Sequence, residues 1–169
     1  MNIFESTTPL FWAIAILSSG TVFAILWSFD AMTHEKLVQV DITDQELQAH
    51  RNILTASFLM EISLLAMFWS PIGALPFFIA FFITRTIHEF IDELNFHVKR
   101  CTPYETYLHL GMWMSVLVKT FSMFIWGFFS GYSGLLELPL FCYIWAAILL
   151  LFLGAVSYTH LRAHETLDH

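Results

Sequence analysis

Before residue 157 the chain carries five histidines, His34, His50, His88, His97 and His109, each with a carboxylate four residues away. The pairs are Asp30/His34, Glu46/His50, His88/Asp92, Glu93/His97 and Glu105/His109. Residues at i and i+4 share a helix face, so each pair aims one carboxylate and one imidazole the same way. Such groups converging from facing helices are the donor set of dinuclear iron or manganese centres in helical bundles. The same oxygen and nitrogen donors suit zinc. A centre of this kind could activate O₂ or water against a lipid-like or quinone-like substrate. The soluble bundles use Glu-x-x-His, so the likeness is one of ligand type alone. Taken singly, each pair also reads as a helix-end contact worth about a few tenths of a kcal/mol. Asp30, His34, Glu46 and His50 are read that way and stand as peripheral candidates.

The densest run is Arg85-Thr-Ile-His88-Glu89-Phe-Ile-Asp92-Glu93-Leu-Asn-Phe-His97. At about 100° per residue, Arg85, His88, Glu89, Asp92 and Glu93 form one stripe, and Ile87, Phe90, Ile91 and Leu94 the opposite one. Lipid offers no partner to charges, so the polar stripe must face other helices or a wet cavity. His88, Glu89, Asp92, Glu93, His97, Glu105 and His109 are the expected divalent-metal ligands (iron, manganese or zinc) or their supporting groups. Glu61, Arg85 and Lys119 form a deeper layer near mid-bilayer. A lone charge there costs about 2.5–3.5 kcal/mol, so the acid on helix two is expected to pair with the bases on helices three and four.

The elements that must hold these residues are apolar helices. Pro9 to Phe29 is one uncharged stretch, long enough to cross a bilayer at about 20 residues per span. Further helices are expected over about 44–69, 75–98, 104–129 and 135–155, with a cytoplasmic loop at 30–43. Thr43-x-x-Glu46 is a capping box that starts the second of them. In the connecting segments, Lys and Arg fall at Lys36, Arg51, Lys99 and Arg100, and none lie in the first ten residues or in the turns at 70–73 and 130–134. Basic residues mark cytoplasmic loops, which places the N-terminus outside and the histidines at the cytoplasmic face of what is read as a bacterial inner membrane. Residues 157–169 (SYTHLRAHETLDH) resemble translated adapter sequence and are read as a non-native tail. Residues 1–156 are then a single transmembrane helical domain.

Composition agrees. The 169 residues are 57% hydrophobic and only 12% charged, half the charge of a soluble domain, which averages about 25%. The net charge of −7 gives no basic footprint for nucleic acid. Two cysteines are too few for a disulfide framework. The reading is an all-α, polytopic membrane bundle of five helices, N-terminus outside, whose partners are the bilayer and a lipid or quinone-like ligand, with a homo-oligomer or larger membrane complex left open. Two other functions fit the same residues. One is a proton-coupled transporter lined by Glu61, Arg85 and Lys119. The other is haem binding by His88 with His109, or a non-catalytic subunit of a membrane complex.

Overall fold

The fold, taken from a computed structural model, is described for the backbone of residues 8–41, 43–98 and 102–165 and the side chains of 8–32, 43–98 and 102–157. Among the described residues, five α-helices follow one another: α1 (Pro9–Asp41), α2 (Asp44–Ala66), α3 (Pro71–Asp92), α4 (Pro103–Ser130) and α5 (Leu140–Glu165). A π-helical turn, Glu93–His97, extends α3, and a 3₁₀ turn, Leu135–Glu137, precedes α5. No strand occurs among the described residues. The architecture is all-α.

Among the described residues, four stretches are long and apolar enough to cross a membrane: Pro9–Met32, Pro71–His97, Pro103–Ser130 and Leu140–Ser157. That is the make-up of a multi-pass membrane protein. Large apolar side chains stand outward, among them Phe58, Ile72, Leu140 and Leu151, as lipid allows and water does not. The second helix is the exception among the five. Asp44, Glu46, Arg51 and Glu61 interrupt it, and it is not among the four spans.

Several boundaries differ from the sequence expectation. Most of the stretch expected as a loop at 30–43 continues α1 as far as Asp41. The third helix begins at Pro71 rather than near Pro76. Ser70 is its N-cap, accepting from the Gly73 N–H at 3.3 Å, and Pro71 takes the first helical position, where its missing N–H costs nothing. Pro76 therefore lies inside the helix, close enough to its start that only one early backbone bond is lost. Thr43 caps α2 as expected, its hydroxyl accepting from the Glu46 N–H at 3.3 Å.

The chain divides into two compact units. One holds α2, α3, the π turn and the end of α4 with its following turn, residues 123–135. Its α2 and α3 run antiparallel: His50 meets Asp92 at 3.3 Å and Ser57 meets Arg85 at 3.0 Å. A step of seven residues along α2 thus matches seven in reverse along α3, two full turns on each. Phe78 stacks on Phe124 at 4.9 Å, which ties α3 to the end of α4. The turn after α4 is locked by Tyr132, which has φ +56° and donates its hydroxyl to the Leu64 carbonyl of α2 at 2.9 Å. Burial, with the Glu61 charge adding to it, pushes the Tyr132 phenol well above its usual range, so it remains a donor. Gly134, at φ +74°, approaches Pro9 so closely that a Cβ would sit 2.4 Å from the proline ring.

Two substitutions test this lock. Tyr132→Phe is expected to cost about 1 kcal/mol, the net worth of one buried hydrogen bond. Gly134→Ala is expected to cost more, about 1–3 kcal/mol, because backbone strain and a clash coincide. Thermal melts in detergent should rank the two in that order.

The other unit holds α1, residues 102–122 of α4, and α5. Glycines bring its helices close: Gly111 lies against Leu26, and Gly20 against Leu149, the small-residue packing that membrane helices use. Trp145 donates its indole N–H to the Thr21 hydroxyl at 2.9 Å.

Candidate metal centre

The first unit gathers His50 of α2, Asp92 at the end of α3 and His97 at the end of the π turn. One ligand atom from each lies within 4.8 Å of the other two. The Asp92 Oδ2 atom is 3.3 Å from His50 Nε2 and 3.3 Å from His97 Nδ1. Glu93 stands beside them, its carboxylate 3.7 Å from His97 Nδ1. The Asp92 and His97 side chains are 9% and 4% exposed, against 25% for His50, so one flank of the group is open.

The π turn creates this arrangement. In a regular α-helix, five residues rotate by about 500°, leaving Asp92 and His97 about 140° apart. A π turn closes i→i+5 bonds instead, and the Val98 N–H donates to the Glu93 carbonyl at 3.0 Å in that manner. Residues five apart are thereby brought over one another, and His97 joins Asp92. Turns of this type recur at functional sites.

His50 is held in a usable orientation. Its Nδ1 faces the Glu46 carbonyl at 3.1 Å, one turn back on α2. A carbonyl is only an acceptor, so this contact suits a proton on Nδ1, and a neutral ring so protonated keeps its Nε2 lone pair for a metal. Metal-bound histidines are oriented by this kind of second contact. The spacing also fits. Bonds of about 2.0–2.1 Å to a tetrahedral ion put neighbouring ligand atoms roughly 3.3–3.4 Å apart. Two imidazoles and a carboxylate form the set used by open zinc sites and by non-haem iron(II).

Most of the remaining expected residues have partners of their own. His88 turns to the Asn52 amide, 3.3 Å away, and with it lines a groove of about 340 Å³ between α2 and α3. Glu89 pairs with Arg85 on its own helix. Glu105 caps α4: its carboxylate accepts from the Thr102 N–H at 2.6 Å, and its own N–H donates to the Thr102 hydroxyl at 3.4 Å. In the other unit, His109 binds Asp30 of α1 at 3.0 Å, rather than Glu105 on its own helix. The side chain of His34 lies outside the described residues. Arg85 takes Ser57 and Glu89 as partners rather than Glu61. Glu46 is 2% exposed and contributes its backbone to both the cap and His50. Lys119 lies near Gly20 in the second unit.

Glu105 offers a direct contrast with the triad. Glu105→Ala is expected to cost about 1 kcal/mol of stability through the lost cap and to leave metal content unchanged. Melting temperature and metal analysis on one preparation check both halves.

In comparison with known proteins, the chain matches no family model, no curated protein and no solved structure.

Proposed function

We propose that this membrane protein binds one divalent transition metal, iron, manganese or zinc, through His50, Asp92 and His97. The observation that carries the reading is the Asp92 carboxylate set 3.3 Å from two imidazole nitrogens on separate elements. Three protein ligands leave positions open for water or O₂ and for substrate. The ligands stand at the end of the Pro71–His97 span, where a membrane-dissolved lipid-like or quinone-like molecule meets water. Lys99 and Arg100, just beyond this end in the sequence, favour the cytoplasmic side. Glu93, the more exposed carboxylate beside the group, is suited to take up a proton from a bound water. One metal is proposed, at the group whose three members lie within a single unit.

Metal content by mass spectrometry on the detergent-purified protein tests the proposal. Wild type and His88→Ala/His109→Ala are expected to retain about one equivalent, and His50→Ala/His97→Ala to lose it. Metal loss in the His88/His109 variant with retention in the His50/His97 variant would reverse the assignment.

A further inference from the structure

Within the membrane-spanning part of α3, one guanidinium has an unspent donor. Arg85 is 4% exposed. It lies fourteen residues from Pro71 and twelve from His97, the two ends of its span, or roughly 18–21 Å from either at 1.5 Å per residue. Arginine remains charged at any ordinary pH and offers five N–H donors. Nε donates to Ser57 Oγ at 3.0 Å, and Nη2 donates to Glu89 Oε1. Nη1 is buried and has no acceptor among the described residues. Bulk water does not reach this depth, so an unused charged donor is more costly here than at a surface.

The side chain is fixed rather than loose. Ser57 holds it from α2 and Glu89 from α3, in the layer two turns from the His50–Asp92 contact. Charge then limits what can complete it. Glu89 already balances Arg85, so a phosphate or carboxylate would add an uncompensated negative charge in a medium of low dielectric. A neutral oxygen acceptor adds none. Depth narrows the choice further. Lipid headgroups and the ester carbonyls next to them lie at the borders of a hydrocarbon core about 30 Å thick, short of mid-span. A carbonyl on a ring with an apolar tail does reach it.

We propose that Arg85 Nη1 anchors the carbonyl oxygen of a membrane-dissolved, quinone-class ligand held at the α2–α3 pair. Such binding requires the side chains covering Nη1 to move aside. This goes beyond the metal reading and does not depend on it, because no metal ligand takes part in the contact.

The test is equilibrium binding of a radiolabelled, short-chain isoprenyl benzoquinone to the full chain in lipid nanodiscs, with empty discs subtracted. Wild type is expected to bind one equivalent saturably. Arg85→Met/Glu89→Gln keeps the pair neutral and removes the donor, and is expected to bind at least tenfold more weakly while retaining its helical circular dichroism. Should that variant fail to fold, Arg85→Lys keeps the charge without Nη1 and is expected to show the same weakening. The metal-free His50→Ala/His97→Ala protein is expected to bind the quinone as wild type does, which separates the two proposals. Absence of saturable binding by wild type, or equal binding by the Arg85 variants, would overturn the inference. So would wild type taking a long-chain acyl ester or inorganic phosphate in place of the quinone.

Discussion

Asp92→Asn is expected to lower divalent-metal affinity at least 100-fold. Asp92 is the shared member of the triad, with one oxygen facing both His50 and His97. Asparagine keeps the shape and can still bond an imidazole, but it lacks the charge that holds a cation. Altering groups that only support a ligand commonly costs about 10–100-fold, and removing the single anionic ligand should exceed that. The fold should survive, because the substitution replaces a buried carboxylate with a neutral group of equal size. Competitive titration against a chelator of known affinity reads the loss, with circular dichroism as the control for folding. A loss below about tenfold would place the metal elsewhere.

Arg85→Leu is expected to be the most destabilising single change in α3. The arginine is buried and ties Ser57 on α2 to Glu89 on its own helix. Removing one partner of a buried ion pair costs about 3–5 kcal/mol, since the remaining charge is left uncompensated. In a chain of this size that corresponds to a drop of roughly 6–20 °C in melting temperature. The double change Arg85→Leu/Glu89→Leu should recover much of the loss, because an apolar pair suits a bilayer better than a lone carboxylate. Equal melting of the single variant and wild type would mean that the pair contributes nothing to holding α2 against α3.

Much of the fold was legible in hydropathy alone. The fourth helix, expected over 104–129, runs from Pro103 to Ser130, because Thr102-Pro103 and the Ser130–Gly134 turn are strong local signals. The extension of α1 to Asp41 was not legible, since residues after Phe29 turn polar while remaining helical. The site divides in the same way. Thr102-x-x-Glu105 follows the capping rule already applied at Thr43, and that rule identifies Glu105 as a cap without a structure. Asp30 with His109 could not be read from spacing, because tertiary packing joined two residues 79 positions apart. His97 was expected to face Glu93, and does so at 3.7 Å; the π turn brings it to Asp92 as well, at 3.3 Å, and no residue pattern announces such a turn. His50 was set aside as peripheral because Glu46/His50 reads as a helix-end contact, whereas its partner Asp92 lies on another helix. Its height on α2, two turns before Ser57, acquires meaning only once the antiparallel register with α3 is known.

X-ray absorption at the metal edge of the purified protein reads the ligands of a metal held by His50, Asp92 and His97. Two imidazole nitrogens and one carboxylate oxygen are expected at about 2.0–2.2 Å, with any further ligands light atoms from water. Loss of the imidazole scattering in His50→Ala/His97→Ala should follow. A first shell containing sulfur, or an unchanged spectrum in that variant, would rule out metal binding by these three residues.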